Sequence, residues 1–360
     1  MSRFLNDSEV NEKIAIAAAV PSLRVESERH SAEDARDVLH KAQSSSRVPV
    51  AQIVFGVNAF FDGAAEQAGT LSWPLLWLQG DVCTDDELTG SQTFYVDGAE
   101  VRSIVQDGRV VGSCWQDDEA EYALLAGILP AELNAAPGLQ TSSVFARIEE
   151  ALAGEGFAFA HVARTWLYLD KLLDWYDEFN VARTEFFETR GVFGRFIPAS
   201  TGIGASNPFG AALTAGALAI KAKHNGVKVR EVASPLQCEA TEYRSSFSRA
   251  VEIELADRRY LTISGTASIA PGGASMHDGD VAKQIETTLD VVEAILASKG
   301  YAWSDTVRAI GYFRKIEDLA VFDRISRERG IAPLPLAPAH TIVCRDDLLF
   351  EIELDAAMKK

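Results

Sequence analysis

Near its C-terminus the chain runs LLFEIELDA (348–356), in which Phe350, Ile352 and Leu354 alternate with Glu351, Glu353 and Asp355. A period of two predicts a β-strand with one apolar face and one acidic face. Taken alone, such a strand edges a sheet with its acids in water. Strands are also predicted at VPVAQIVFGV (48–57) and LSWPLLWLQG (71–80). The run VRSIVQDGRVVGSCW (101–115) reads as a hairpin turned at Asp107-Gly108. Residues 1–45 are polar and carry a charged helical stretch, ESERHSAEDARDVLHKA, before Ser44-Ser45-Ser46, the pattern of an arm or linker.

The pattern repeats. SVFARIEEALAGEGFAFAHVARTWLYLDKLLDWYDEF (143–179) aligns without gaps on TTLDVVEAILASKGYAWSDTVRAIGYFRKIEDLAVF (287–322). Gly156 then meets Gly300, Arg164 meets Arg308 and Tyr168 meets Tyr312. Each copy reads as an amphipathic helix closed by glycine, a strand, then a second helix. Upstream, VRSIVQDGRVVGS matches FSRAVEIELADRRYLTISG, with Ser103 opposite Ser248. Downstream, Pro198-Ala199-Ser200-Thr201 matches Pro338-Ala339-His340-Thr341. The expected organisation is an N-terminal arm (1–45), a first copy with extra N-terminal β-structure (46–222), a linker (223–237) and a second copy (238–360), each copy an α+β sheet with helices on one face.

Composition narrows the function. Of 360 residues, 47% are hydrophobic and 24% charged, as in a soluble globular protein. No apolar run approaches the ~18 residues of a membrane span. The first residues lack a basic n-region, against a signal peptide. The four cysteines (Cys83, Cys114, Cys238 and Cys344) are widely spaced, as expected of free thiols in a cytoplasmic protein. A formal charge of -18 argues against nucleic acid and anionic membrane as partners, although a local arginine cluster can still bind a small anion. The six histidines are scattered and there is no HExxH, so no metal is expected. GIGASNPFG lacks the lysine of a phosphate-binding loop.

With its hairpin, its glycine-closed helix, its Pro-Ala pair and its closing Glu-Ile-Glu, the repeated unit resembles the Rid/YjgF fold (chorismate-mutase-like) over both copies. In that superfamily an arginine follows Pro-Ala on the penultimate strand and serves imine deamination. Ser200 and His340 stand there instead, which speaks against deaminase chemistry. FIPASTGIGASNPFGAAL (196–213), SPLQCEATEYRSSFSRAVEI (234–253) and LTISGTASIAPGG (261–273), with the tandem arrangement, look like the chorismatase family. The resemblance implies a cofactor-free enzyme that releases pyruvate from chorismate. The product is 3-hydroxybenzoate, the favoured expectation, or the dihydroxycyclohexadiene carboxylate of a chorismate hydrolase. A Rid-like protein that binds a ligand without chemistry is the alternative from a different class. Rid domains form trimers, so monomer and homotrimer both stay open.

Cleaving an enolpyruvyl ether requires a proton on the methylene carbon, which suits a carboxylic acid whose pKa burial has raised. The resemblance puts the essential glutamate at Glu351. Glu353 shares its strand face and is the second candidate. The two substrate carboxylates call for arginine forks. Arg164, Arg308 and Arg249 are the candidates, although the recurrence of the first two also fits structural ion pairs. Tyr243 is a candidate clamp beside Arg249 or, equally, a half-buried strand residue, and Thr201 offers a hydroxyl at a pocket wall. The resemblance associates a cysteine at Cys344 with 3-hydroxybenzoate formation, whereas Ala267 stands where that type carries a smaller glycine.

Overall fold

The computed structural model describes residues 23–31, 37–84, 88–243 and 245–360. The first copy contains β5 (Arg102–Gln106), β6 (Arg109–Gln116), β7 (Ala120–Ile128), α3 (Pro137–Gly154), β8 (Val162–Leu169), α4 (Leu172–Thr189), β9 (Ala199–Ser206) and β10 (Leu213–Ala222). The second contains β11 (Lys228–Val232), β12 (Ala250–Glu254), β13 (Arg258–Ala267), α5 (Val281–Ser298), β14 (Thr306–Phe313), α6 (Leu319–Glu328), β15 (Leu336–His340) and β16 (Phe350–Lys359). Local chemistry sets the helix ends. Pro137 opens α3, where its missing N–H costs nothing, and Asp280 caps α5 by accepting from the Lys283 N–H at 3.1 Å. Beyond them Gly156 and Gly300 take φ +78° and +77°, the left-handed turn glycine permits.

Strand order makes the two copies equivalent. The second sheet runs β11-β12-β13-β16-β14-β15, and the first copy's part of its sheet reads β5-β6-β7-β10-β8-β9 from the other edge. In both, a helix connects two parallel strands, β8 to β9 and β14 to β15. This order shifts the expected hairpin match by one strand. The hairpin β5–β6 corresponds to β11–β12, so Ser103 is not the counterpart of Ser248. Alternating hairpins look alike in sequence, and only the pairing of β7 with β10 and of β13 with β16 tells them apart. The stretch expected as a linker therefore holds β11. Register also makes Gly204, paired with Leu169, the counterpart of His340, paired with Phe313; Ser200 pairs with Thr165.

Beyond the two copies lies a third, shorter unit. It comprises β1 (Leu23–Arg29), α1 (Val38–Gln43), β2 (Val48–Gly56), α2 (Phe61–Ala68), β3 (Leu75–Gly80) and β4 (Leu88–Val96). Its order, β1-β4-β2-β3 with β2 parallel to β3, is that of β7-β10-β8-β9 and β13-β16-β14-β15. The region expected as extra β-structure is thus a reduced copy: α1 has 6 residues where α3 and α5 have 18, and α2 has 8 where α4 has 18 and α6 has 10. Within the expected arm, Leu23–Arg29 is strand, because Leu23 and Val25 alternate into the core against β4; residues 1–22 and 32–36 lie outside the described residues.

The three units share one core. Val50, Ile53 and Phe55 of the short unit meet Trp166 and Tyr168 of the first copy and Ile310 and Tyr312 of the second. The rings of Phe55, Tyr168 and Tyr312 meet at the centre, with Phe55 edge-on to Tyr168 at 6.4 Å and to Tyr312 at 6.2 Å. Three outer cores lie between each sheet and its own helices. None of the described helices is long and apolar enough to cross a membrane.

Candidate active site

Three units create three inter-unit positions equivalent to Glu351. Register identifies them: Tyr312 pairs with Glu351, Tyr168 with Thr214 and Phe55 with Gly90. Only one carries an acid. The Gly90 position is closed, since a side chain there would run into the backbone of Pro338 at 2.6 Å. The Glu351 position instead opens on a cavity of about 1050 Å³ between β13 and β16 of the second copy and α4 and β9 of the first.

Behind the cavity, at the common centre, lie Arg164 and Arg308, both 0% exposed. Arg164 Nη2 donates to Glu353 Oε2 at 2.8 Å, and Arg308 Nη2 donates to Glu353 Oε1. Trp166 Nε1 adds a bond to Glu353 Oε1 at 2.8 Å and the Tyr312 hydroxyl one to Oε2 at 3.2 Å. Arg308 also donates to Asp355 and to Gln92, each at 3.1 Å. Burial alone would raise the pKa of Glu353, but Arg164 and Arg308 outweigh it and hold the carboxyl below its usual range. Neither of the two repeated arginines is among the residues that line this cavity, and both are ion-paired, Arg164 with Glu353 and Arg308 with Glu353 and Asp355. A buried cation demands a partner, and the strand acids of β16 provide it. In the short unit Ala51 replaces the arginine, pairing with Phe94 where Arg308 pairs with Asp355.

Glu351 is two residues earlier on the same face. It is 5% exposed and lines the cavity. Burial, then the charge of Glu353, pushes its carboxyl up to about 8, against smaller opposing effects of Arg164 and Arg249. The carboxyl fits because residue 265 is glycine: Glu351 Oε1 occupies the place a β-carbon would take. Thr201, expected at a pocket wall, lies just behind, accepting from the Gly265 N–H at 3.0 Å and from Arg164.

Of the other expected residues, Arg249, Tyr243, Ala267 and Cys344 line the cavity. Arg249 donates to the Cys238 carbonyl at 2.9 and 2.6 Å, and its guanidinium carbon lies 5.4 Å from the centre of the Tyr243 ring. Ala267 pairs with Glu351 across the strands. Burial and the nearby Glu351 push the Cys344 thiol up to about 12, so it is a thiol rather than a nucleophilic thiolate at neutral pH. Ser200 lines the cavity, whereas His340 does not.

Sequence reasoning missed the wall supplied by α4: Tyr176, Asn180, Arg183 and Thr184. Their helical spacing marks one polar face, which was the available signal. Arg345, next to Cys344, was also missed. Among the described residues, Arg183, Arg249 and Arg345 line the cavity and form no ion pair with a carboxylate. The acids at its mouth, Asp177, Glu185 and Glu188, are exposed and screened by water. Nor do the described residues hold a group of three or more His, Cys, Asp or Glu placed to bind a metal.

Fold and site define a tandem Rid-like protein, and residues 239–358 match the Endoribonuclease L-PSP family. A chorismatase of Streptomyces rapamycinicus is 32% identical over 59% of this chain and 68% of its own length. The chain therefore belongs to the chorismatase family. A chorismatase of Streptomyces hygroscopicus is 27% identical over 69% of this chain and 75% of its own. A 3-hydroxybenzoate synthase of the same organism is 28% identical over 65% and 74%. The crystal structure of a chorismatase, 22% identical, superposes with a TM-score of 0.69 over 95% of this chain and 100% of its own.

Proposed function

We propose that the chain cleaves the enolpyruvyl ether of chorismate, releasing pyruvate and 3-hydroxybenzoate, with Glu351 as the proton donor. The observation that carries this reading is a buried carboxylic acid, protonated at neutral pH, in a cavity ringed by arginines without carboxylate partners. The names of the relatives supply the substrate.

Glu351 protonates the methylene carbon, and the ether oxygen's lone pair stabilises the oxocarbenium ion that results. The neighbouring ring hydroxyl attacks that cation and returns its proton to the Glu351 carboxylate. The oxygen that attacked then leaves the ring as the keto oxygen of pyruvate, the ether oxygen stays on the ring, and loss of a ring proton gives 3-hydroxybenzoate. The two products together contain all the atoms of chorismate, so no water or redox partner enters. Glu353 holds its charge beneath and keeps Glu351 protonated in the resting state. Arg249 and Tyr243 form one anion-binding wall, and Cys344 lines the same cavity as Glu351, within its electrostatic influence.

Ala267, cross-strand from Glu351, favours a second reading in which the ring sits differently and water captures the cation, giving the diene-diol. Purified protein incubated with chorismate tests both, with pyruvate and the ring products measured together. Pyruvate with 3-hydroxybenzoate supports the first reading and pyruvate with a non-aromatic diol the second. If no pyruvate forms, a non-catalytic ligand-binding role takes over. Three Rid-like units in one chain also occupy the places of three subunits, so we propose a monomer, which light scattering tests at about the 39.1 kDa chain mass.

A further inference from the structure

Glu351 rests on a β-bulge. On β13, Ile263 pairs with Leu354 of β16 and Thr266 with Ile352, so Ser264 and Gly265 together stand opposite Glu353. The first copy has the matching bulge, Ala126-Gly127 opposite Gly216, whereas β1 and β4 of the short unit pair without one. A bulge takes backbone groups out of the ladder, and here the neighbouring copy helps to satisfy them. The Ser264 N–H donates to the Arg249 carbonyl at 3.0 Å, and Ser264 Oγ accepts from the Ser200 N–H at 2.9 Å. The Gly265 N–H donates to Thr201 Oγ1 at 3.0 Å. Ser200 and Thr201 both belong to β9 of the first copy.

Thr201 is 2% exposed and is not among the residues that line the cavity. Its oxygen also accepts from Arg164, and its own hydrogen is left for Glu353, whose carboxyl it helps to hold down. The Gly265 N–H has a second acceptor beside it, because Glu351 Oε1 occupies the place of a β-carbon on that residue. We propose that Thr201 is a positioning residue for the catalytic acid: by occupying the Gly265 N–H, it keeps that donor off the Glu351 carboxyl. An N–H given to Glu351 would stabilise the ionised form and work against proton donation. The proposal rests on the reading of Glu351 as the proton donor. The charged and titratable groups that act on Glu351 or feel its charge are Glu353 on β16, Arg164 on β8, Arg249 ahead of β12, Tyr176 on α4 and Cys344 ahead of β16. Uncharged substitutions at Thr201 leave all of them in place.

Thr201→Val keeps the branched shape and removes the oxygen. In carbon NMR of protein labelled at the glutamate carboxyls, the resonance that Glu351→Gln removes should titrate about one pH unit or more lower in Thr201→Val. Thr201→Ser should restore the wild-type midpoint. For pyruvate release from chorismate, the loss of kcat in Thr201→Val should be about fivefold greater at pH 8 than at pH 6, whereas a merely structural role would lower both alike. Thr201→Cys, a weak acceptor, replaces the valine variant if that one fails to fold. The proposal is overturned if the midpoint stays or rises in the valine and cysteine variants, or if the serine variant falls with them. A midpoint that moves as expected in a protein that releases no pyruvate would sink the proton-donor reading and leave the role of Thr201 standing.

Discussion

Glu351 and Glu353 share a strand, a face and near-complete burial, and their carboxyls are pushed in opposite directions. Glu353 lies at the common centre, where two arginines, an indole N–H and a phenol satisfy both of its oxygens. Glu351 lies at the edge of that centre, against a glycine and a cavity, without a direct arginine partner among the described residues. Burial by itself therefore does not make a catalytic acid. What differs is whether the surrounding charges compensate for it. The ionised Glu353 also helps to keep Glu351 protonated, so one glutamate is structural and at the same time tunes the other.

The largest expected effect separates them outright. Glu351→Gln should lower kcat on chorismate by about 10³-fold, within the range for removing a general acid, while the melting temperature holds. Glu353→Gln should instead cost stability, about 3–5 kcal/mol, because Arg164 and Arg308 lose a buried counter-charge; denaturant melts read this. A dead but stable Glu353→Gln protein would reverse the roles.

A smaller effect comes from Gly265→Ala. Its methyl would take the place of the Glu351 carboxyl, and we expect kcat to fall by about 10-fold or more in a protein that still folds. Normal turnover would mean that the carboxyl need not sit there.

The pH dependence follows from the sign of the Glu351 shift. A proton donor with a pKa of about 8 is competent below that value, so kcat should hold at neutral pH and fall as pH rises past 8. The raised pKa also means that the folded state binds a proton the unfolded chain has lost above its ordinary value of 4.5. Stability should therefore decline from about pH 4.5 to about pH 8, and Glu351→Gln should flatten that part of the melting curve. A wild-type curve no steeper than the variant's would argue against a buried neutral acid. The smallest effect is expected of Cys344→Ala: pyruvate release within about threefold of wild type, as befits a protonated thiol, with any change confined to the ratio of ring products. Loss of turnover would make the sulfur a reacting group.

Much of this was legible in the chain. The alternation around Glu351 marks a strand, the 143–179 and 287–322 match reveals two copies, and the resemblance singles out Glu351. The third unit stayed hidden because its helices are short and Ala51 stands where the other copies have arginine, so the most recognisable side chain of the repeat is missing. The pairing of Arg164 and Arg308 with Glu353 was not readable, since those partners are 189 and 45 residues away in sequence. Arg183 was overlooked for the opposite reason: on a helix rich in charged residues, a buried arginine looks like its solvated neighbours until the packing of Phe179 and Phe247 is known.

The most direct test is carbon NMR of protein labelled at the glutamate carboxyls, with wild type and Glu351→Gln titrated side by side. One wild-type resonance is expected to titrate with a midpoint of about 8 and to be absent from the variant. If every glutamate carboxyl titrates in the ordinary range near 4.5, or the resonance near 8 survives in Glu351→Gln, then Glu351 is not the buried neutral acid described above.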